Sequence, residues 1–221
     1  MEIRLEEITK IYSREKRELI VLENLNMTLP EGKFIVITGD SGVGKSTLLN
    51  IISGLSKPTK GKVYYGENEI TGWNDEELSN IRNTYLGIVT QNCELIPYLT
   101  VVENLKLAYE MNKNTKGKEI ENKDIFCDLL NELGLLSLKN EFPRNLSSGE
   151  IKRAAIARAL ITKPEIIIMD EPTANLDRQN VKNSLRLLRK YRDLGSMVVI
   201  SSHEKEALEY ADIHKSLDYC V

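Results

Sequence analysis

The nine residues GDSGVGKST, 39–47, constrain this chain more than any other stretch. They follow the apolar, β-branched run FIVIT (34–38), which predicts a buried strand. They open GKSTLLNIISGL (44–55), which predicts a helix with Leu48, Leu49, Ile51 and Ile52 packing inward. The pattern G-x-x-x-x-G-K-[ST] is met in full by Gly39, Gly44, Lys45 and Ser46. Glycines let a backbone wrap an anion without Cβ clashes. Successive N–H groups and a helix N-terminus then face that anion. The stretch therefore predicts a phosphate cradle formed by Gly39, Asp40, Ser41, Gly42, Val43, Gly44, Lys45, Ser46 and Thr47. Lys45 is placed to reach the β- and γ-phosphates, Ser46 to hold Mg²⁺, and Thr47 to meet the α-phosphate side.

A second strand supplies acid. EIIIMD (165–170) is continuously apolar and β-branched, as expected of a strand covered on both faces. It delivers Asp170 and Glu171 at its C-terminal end, where open α/β sheets bind ligands. Asp170 is placed to orient Mg²⁺, directly or through water, and Glu171 to polarise an attacking water. A base-reading NKxD sequence, which guanine nucleotides would call for, does not occur, and that favours adenine. The two motifs together predict a P-loop nucleoside triphosphatase.

The rest of the chain agrees with an α/β fold. MVVIS (197–201) is a further strand candidate, and HEKEALEYA (203–211) after it reads as a helix. Between about 92 and 160 strand signals fade. VVENLKLAYEM (101–111), KDIFCDLLNELGL (123–135) and residues 145–160 look helical, with MNKNTKGKEIENK (111–123) as a polar loop. The expected architecture is one domain, 1–221. A mainly parallel P-loop core with an N-terminal antiparallel β portion covers about 1–91 and 161–221, and a helical subdomain of about 92–160 is inserted. Net charge is −3, so no global basic field recruits nucleic acid. Cys93, Cys127 and Cys220 are odd in number and far apart, so no disulfide framework is expected and a reducing cytosol is. The charged N-terminus holds no apolar signal core, and no run approaches a membrane span. Service to a membrane would come from one side, as a peripheral partner.

At this point the motifs match a known family. From about residue 2 onward the chain resembles the ATP-binding subunit of an ABC transporter. Tyr12 sits where an aromatic stacks on adenine. GDSGVGKST is the P-loop, and Gln91 in GIVTQNCELIPYLTVVENL matches the glutamine loop. LSSGE (146–150) matches the signature, usually LSGGQ. DEPT, ANLD (174–177) and His203 in VVISSHE complete the set in the family's order. STLLNIISGLSKPTKGKV, LIPYLTVVENL and DEPTANLD look like the lipoprotein-release and macrolide- or antimicrobial-peptide-export group. His214, in ADIHKSLDYC, matches no motif and is expected to be structural or exposed. The family often ends with a strand and a Gly-containing turn, whereas IHKSLDYCV ends abruptly.

The resemblance implies an ATP hydrolase that powers a membrane transporter exporting or extracting a peptide, lipoprotein or drug. Two copies would pair head to tail in the ATP-bound state, each ATP lying between one P-loop and the partner's signature. Glu171 would be the general base, and His203 would hold γ-phosphate and water in line. Gln91 would meet Mg²⁺ or the water and sense the membrane-spanning permease. Asp177 would couple the two sites. Ser147 and Gly149 would act in trans on the partner's ATP. The protein would sit on the cytoplasmic face through its permease. The alternative is a mechanotransmitting ATPase of a non-transporting complex, as in the cell-division relative. DNA-repair ABC proteins carry coiled-coil or zinc insertions, of which the sequence has no sign. Two departures stand out. Ser148 replaces a usual glycine and Glu150 a usual glutamine. Glu150 is expected to point away from the phosphate, because its charge would repel it.

Overall fold

The computed structural model describes residues 1–14, 17–116 and 125–217. In chain order its elements are β1 (Ile3–Arg14), β2 (Arg17–Leu29), β3 (Phe34–Thr38), α1 (Lys45–Ile52), β4 (Lys60–Tyr65) and β5 (Asn68–Glu69). There follow α2 (Asp75–Tyr85), β6 (Leu86–Val89), α3 (Val101–Lys116), α4 (Ile125–Glu132) and α5 (Ser148–Leu160). The chain closes with β7 (Ile166–Asp170), α6 (Arg178–Asp193), β8 (Met197–Ser201), α7 (Lys205–Tyr210) and β9 (Ile213–Ser216).

Two sheets form. One is antiparallel, in the order β2-β1-β4-β5. The other is parallel throughout, in the order β6-β7-β8-β3-β9. The parallel strands alternate their apolar side chains between two cores. Phe34, Val36, Ile167, Met169, Val198 and Ile200 face α3 to α6, meeting Leu105, Leu130, Ala154, Ile156, Leu185 and Leu188. Ile35, Ile37, Ile166, Ile168 and Val199 face α1 and the antiparallel sheet, meeting Leu48, Ile52, Ile3 and Leu5. Burial on both faces is why FIVIT, IIIMD and MVVIS read as unbroken apolar runs. The predicted helices of the middle segment lie on the crossover from β6 to β7, and their buried side chains share one cluster with the sheet.

Several expectations need correction. Residues 111–116, expected in a loop, continue α3; residues 117–123 of that segment lie outside the described residues. Tertiary contact explains the extension: Asn83 of α2 donates to Met111 O, and Asn112 donates back to Asn83 O. The helix expected over 123–135 is shorter, ending at Glu132 before Gly134 takes φ 67° and Leu135 N–H reaches back to Leu130 O at 2.7 Å. The helix after His203 begins only at Lys205, because Ser202 Oγ accepts Glu204 N–H and turns the chain first. IHKS, not expected as a strand, forms β9, hydrogen-bonded beside β3, and residues 218–221 lie outside the described residues. His214 lies there, exposed, 2.7 Å from Thr38 Oγ1.

Candidate active site

Register places the site. In the parallel sheet Ile37 pairs with Ser201, and Ser201 with Asp170, so the C-terminal ends of β3, β8 and β7 stand level. Val89, the last residue of β6, pairs with Met169, which brings Gln91 out at the same edge two residues later. A cleft of about 630 Å³ opens there. Its lining takes Ser41, Gly42, Gly44, Lys45, Ser46 and Thr47 from the loop after β3, and Gln91, Asp170, Glu171 and His203 from the other strand ends. Tyr12, Ser13, Leu19 and Val21 close it from β1 and β2.

The residues of the loop divide between those that face the cleft and those that hold its shape. Gly44 caps α1 at φ 106°, and a Cβ there would stand 2.9 Å from Val21 Cγ1. Only glycine meets both demands. Gly39 and Asp40 lie outside the lining and serve through their carbonyls, which accept from Lys45 Nζ at 2.7 and 3.1 Å. Val43 packs its side chain into the core. The Lys45 ammonium also lies 2.9 Å from His203 Nε2, which in turn lies 3.3 Å from Glu171 Oε1. A cation, an imidazole and a carboxylate thus converge at the mouth of the loop.

The acidic pair is held by a residue that sequence reasoning missed. Ser201 Oγ donates to Asp170 Oδ1 at 2.6 Å and accepts Glu171 N–H at 2.9 Å. Asp170 is 6% exposed; Glu171 adopts φ 49°, the left-handed region that a glutamate rarely occupies. Lys152, on α5, was missed too: its Nζ donates to Glu171 O at 2.8 Å and to Ala174 O at 3.2 Å. Leu19 and Val21, which share the cleft wall with Tyr12, carry no motif; Leu19 is exposed and Val21 half-buried against the core.

Ser147, Gly149 and Asp177 stand apart from the cleft lining. Ser147 caps α5. Its hydroxyl and its N–H each donate to Glu150 Oε2 at 2.7 Å, and it accepts Glu150 N–H at 3.4 Å. The Ser147 hydroxyl and then its N–H hold the Glu150 carboxyl below its ordinary pKa. Glu150 therefore folds back onto its own helix tip, where two donors of Ser147 hold its carboxylate. Ser148 is the first helical residue and has no positive φ, so glycine is not required there. Asp177 caps α6, accepting Gln179 and Asn180 N–H at 3.0 Å each, and bonds to Asn180 lower its pKa. Among the described residues no helix is long and apolar enough to cross a membrane.

The family model described as ABC transporter matches residues 22–174. The lipoprotein-releasing system ATP-binding protein LolD of Aquifex aeolicus is 40% identical over 216 residues, covering 98% of this chain and 92% of that protein. HrtA of Staphylococcus haemolyticus, named for hemin import, is 38% identical over 214 residues, covering 96% and 95%. A dimeric post-hydrolysis state of the ATP-binding cassette MJ0796, bound to ADP and Pi, superposes with a TM-score of 0.91 at 33% identity, covering 99% of this chain and 97% of that one. MJ0796 is a Methanocaldococcus jannaschii protein, 38% identical to this chain over 213 residues. This chain belongs to the ABC transporter family, as an ATP-binding cassette that binds and hydrolyses ATP to power a membrane transporter.

Proposed function

We propose that this ATPase drives export or extraction of a peptide, lipoprotein or drug through a membrane-spanning permease, from the cytoplasmic face. What carries the site assignment is the convergence of Lys45, His203 and Glu171 within 3.3 Å at the mouth of one loop. Glu171 takes the proton of the attacking water, and His203 holds that water and the γ-phosphate in line. Tyr12, with Leu19 beside it, offers the apolar platform for adenine. The LolD relatives, named for lipoprotein release, support the lipoprotein among these cargoes.

The oxygen donors suit Mg²⁺, which takes about six oxygen ligands, typically one or two carboxylates together with substrate phosphates and waters. Ser46, Gln91 and Asp170 line the same cleft, and Asp170 keeps acceptor capacity beyond the bond it receives from Ser201. These three would hold the ion, which supplies charge neutralisation at the β- and γ-phosphates. Two copies pair head to tail when ATP is bound, so that Ser147 and Gly149 meet the partner's γ-phosphate and Asp177 links the two sites. The region of Gln91 acts as the lever that carries closure and hydrolysis to the permease.

Glu171→Gln tests the base. Hydrolysis is expected to fall about 10²–10⁴-fold while ATP binding, measured by calorimetry, persists. Wild-type turnover in the variant rejects the assignment. Purification from native membranes, with identification of the co-purifying membrane protein, tests the permease.

A further inference from the structure

We infer that Lys152 is a positioning residue for hydrolysis, fixing the Glu171 main chain and tying it to the tip of the signature helix. The inference rests on the reading of Glu171 as general base. Lys152 is 8% exposed. Among the described residues no ion pair joins it to a carboxylate, and its ammonium goes to two main-chain carbonyls, Glu171 O and Ala174 O. A buried cation carries a desolvation cost, so a lysine is a poor choice where only packing is needed. Its position explains the choice. Glu171 sits at φ 49°, a conformation that must be imposed by its surroundings. Ser201 Oγ grips the N–H of this residue and Lys152 grips its C=O. With both ends of the residue held, its carboxylate stays against His203.

The second half of the inference concerns α5. Lys152 lies three residues after Gly149 on the same helix. A Cβ on Gly149 would stand 3.2 Å from Leu176 Cδ2 and 3.6 Å from Asn175 O. The helix tip therefore packs directly on residues 175–176, while Lys152 bonds residues 171 and 174. A shift of the tip, as when it engages the partner's nucleotide, moves the donor that holds this chain's own base. Each protomer's base is thereby poised by its signature meeting the other ATP.

The test is steady-state hydrolysis and ATP calorimetry on the purified chain with Lys152→Met, Lys152→Gln and Lys152→Arg. In Met and Gln, kcat is expected to fall about 10- to 100-fold, the cost of a displaced reacting group. KM and ATP affinity should stay within about two-fold. Arg, which keeps buried donors, should recover most of the turnover, and the Hill coefficient for ATP should drop toward one in Met and Gln. Should Met fail to fold, Gln alone decides. Unchanged kcat, or kcat and affinity lost together, overturns the inference. Glu171→Gln in the same assay separates the failures. If it is inactive while Lys152→Met is fully active, only the positioning role falls; if Glu171→Gln turns over normally, the base reading itself falls.

Discussion

The Ser201 hydroxyl bonds two consecutive residues of the acidic pair, Asp170 through its carboxylate and Glu171 through its N–H. Removing it leaves a buried carboxylate one partner short and frees one end of the Glu171 main chain. Ser201→Ala is expected to lower kcat about ten-fold and to destabilise the fold by about 1–3 kcal/mol, read by ATPase assay and denaturant unfolding. A kcat within two-fold of wild type contradicts this role. The residue was invisible in the sequence for a definite reason. Its partner lies 31 positions away and meets it only through the β7–β8 register. Asp170, Glu171 and His203 were legible because each stands within two residues of a strand end that the apolar runs marked, and Lys45 because the glycine pattern before α1 includes it. The bonds of Glu150 to its own cap were not foreseen, because only repulsion from phosphate was weighed.

At the scale of elements, α5 shows how a helix end is held by two side chains. The Ser147–Glu150 box satisfies N–H groups that the helix leaves without intrahelical partners. Ser147→Ala should cost about 1 kcal/mol of stability near neutral pH, measured by chemical unfolding. The pH dependence follows from the sign of the Glu150 shift. Its folded pKa is lowered, so its contribution is fully present above the unfolded carboxylate range and is lost as pH falls through the folded value. The gap between wild type and Ser147→Ala should therefore narrow as acid protonates Glu150; a gap independent of pH argues against the box. Elements buried on both faces, β3, β7 and β8, were plain in the sequence because no polar residue interrupts them. β9 was not, since IHKS alternates half-buried and exposed side chains at the sheet edge. The last turn and a half of α3 was hidden for another reason, since it depends on contact with Asn83.

At the scale of the whole molecule, the distribution of the motifs poses a question of stoichiometry. The cleft gathers the loop, both acids, Gln91 and His203, whereas Ser147 and Gly149 lie outside its lining. The order of motifs in the sequence could not show that separation; the fold does, by placing the α5 tip against residues 175–176. If two copies complete each other's sites head to tail, defects on opposite sides of one interface must complement. Lys45→Ala removes the loop's cation and should abolish ATP binding. Ser147→Asp keeps a good helix cap and sets a carboxylate where the partner's γ-phosphate is to sit. Each variant alone should be inactive. Mixed and allowed to exchange, about half of the dimers contain one of each chain. In those, both defects fall in a single composite site and the other site is intact. Independent sites would return activity to about a quarter of wild type, because the two-fold pair holds two equivalent sites. Coupling through Lys152 lowers this, so the decisive reading is ATP-dependent pairing of the two variants around the one intact site. Sites complete within one chain would give neither recovered activity nor ATP-dependent pairing of the two variants at any mixing ratio, because every chain would still carry its own defect, and that joint outcome would reject the head-to-tail arrangement.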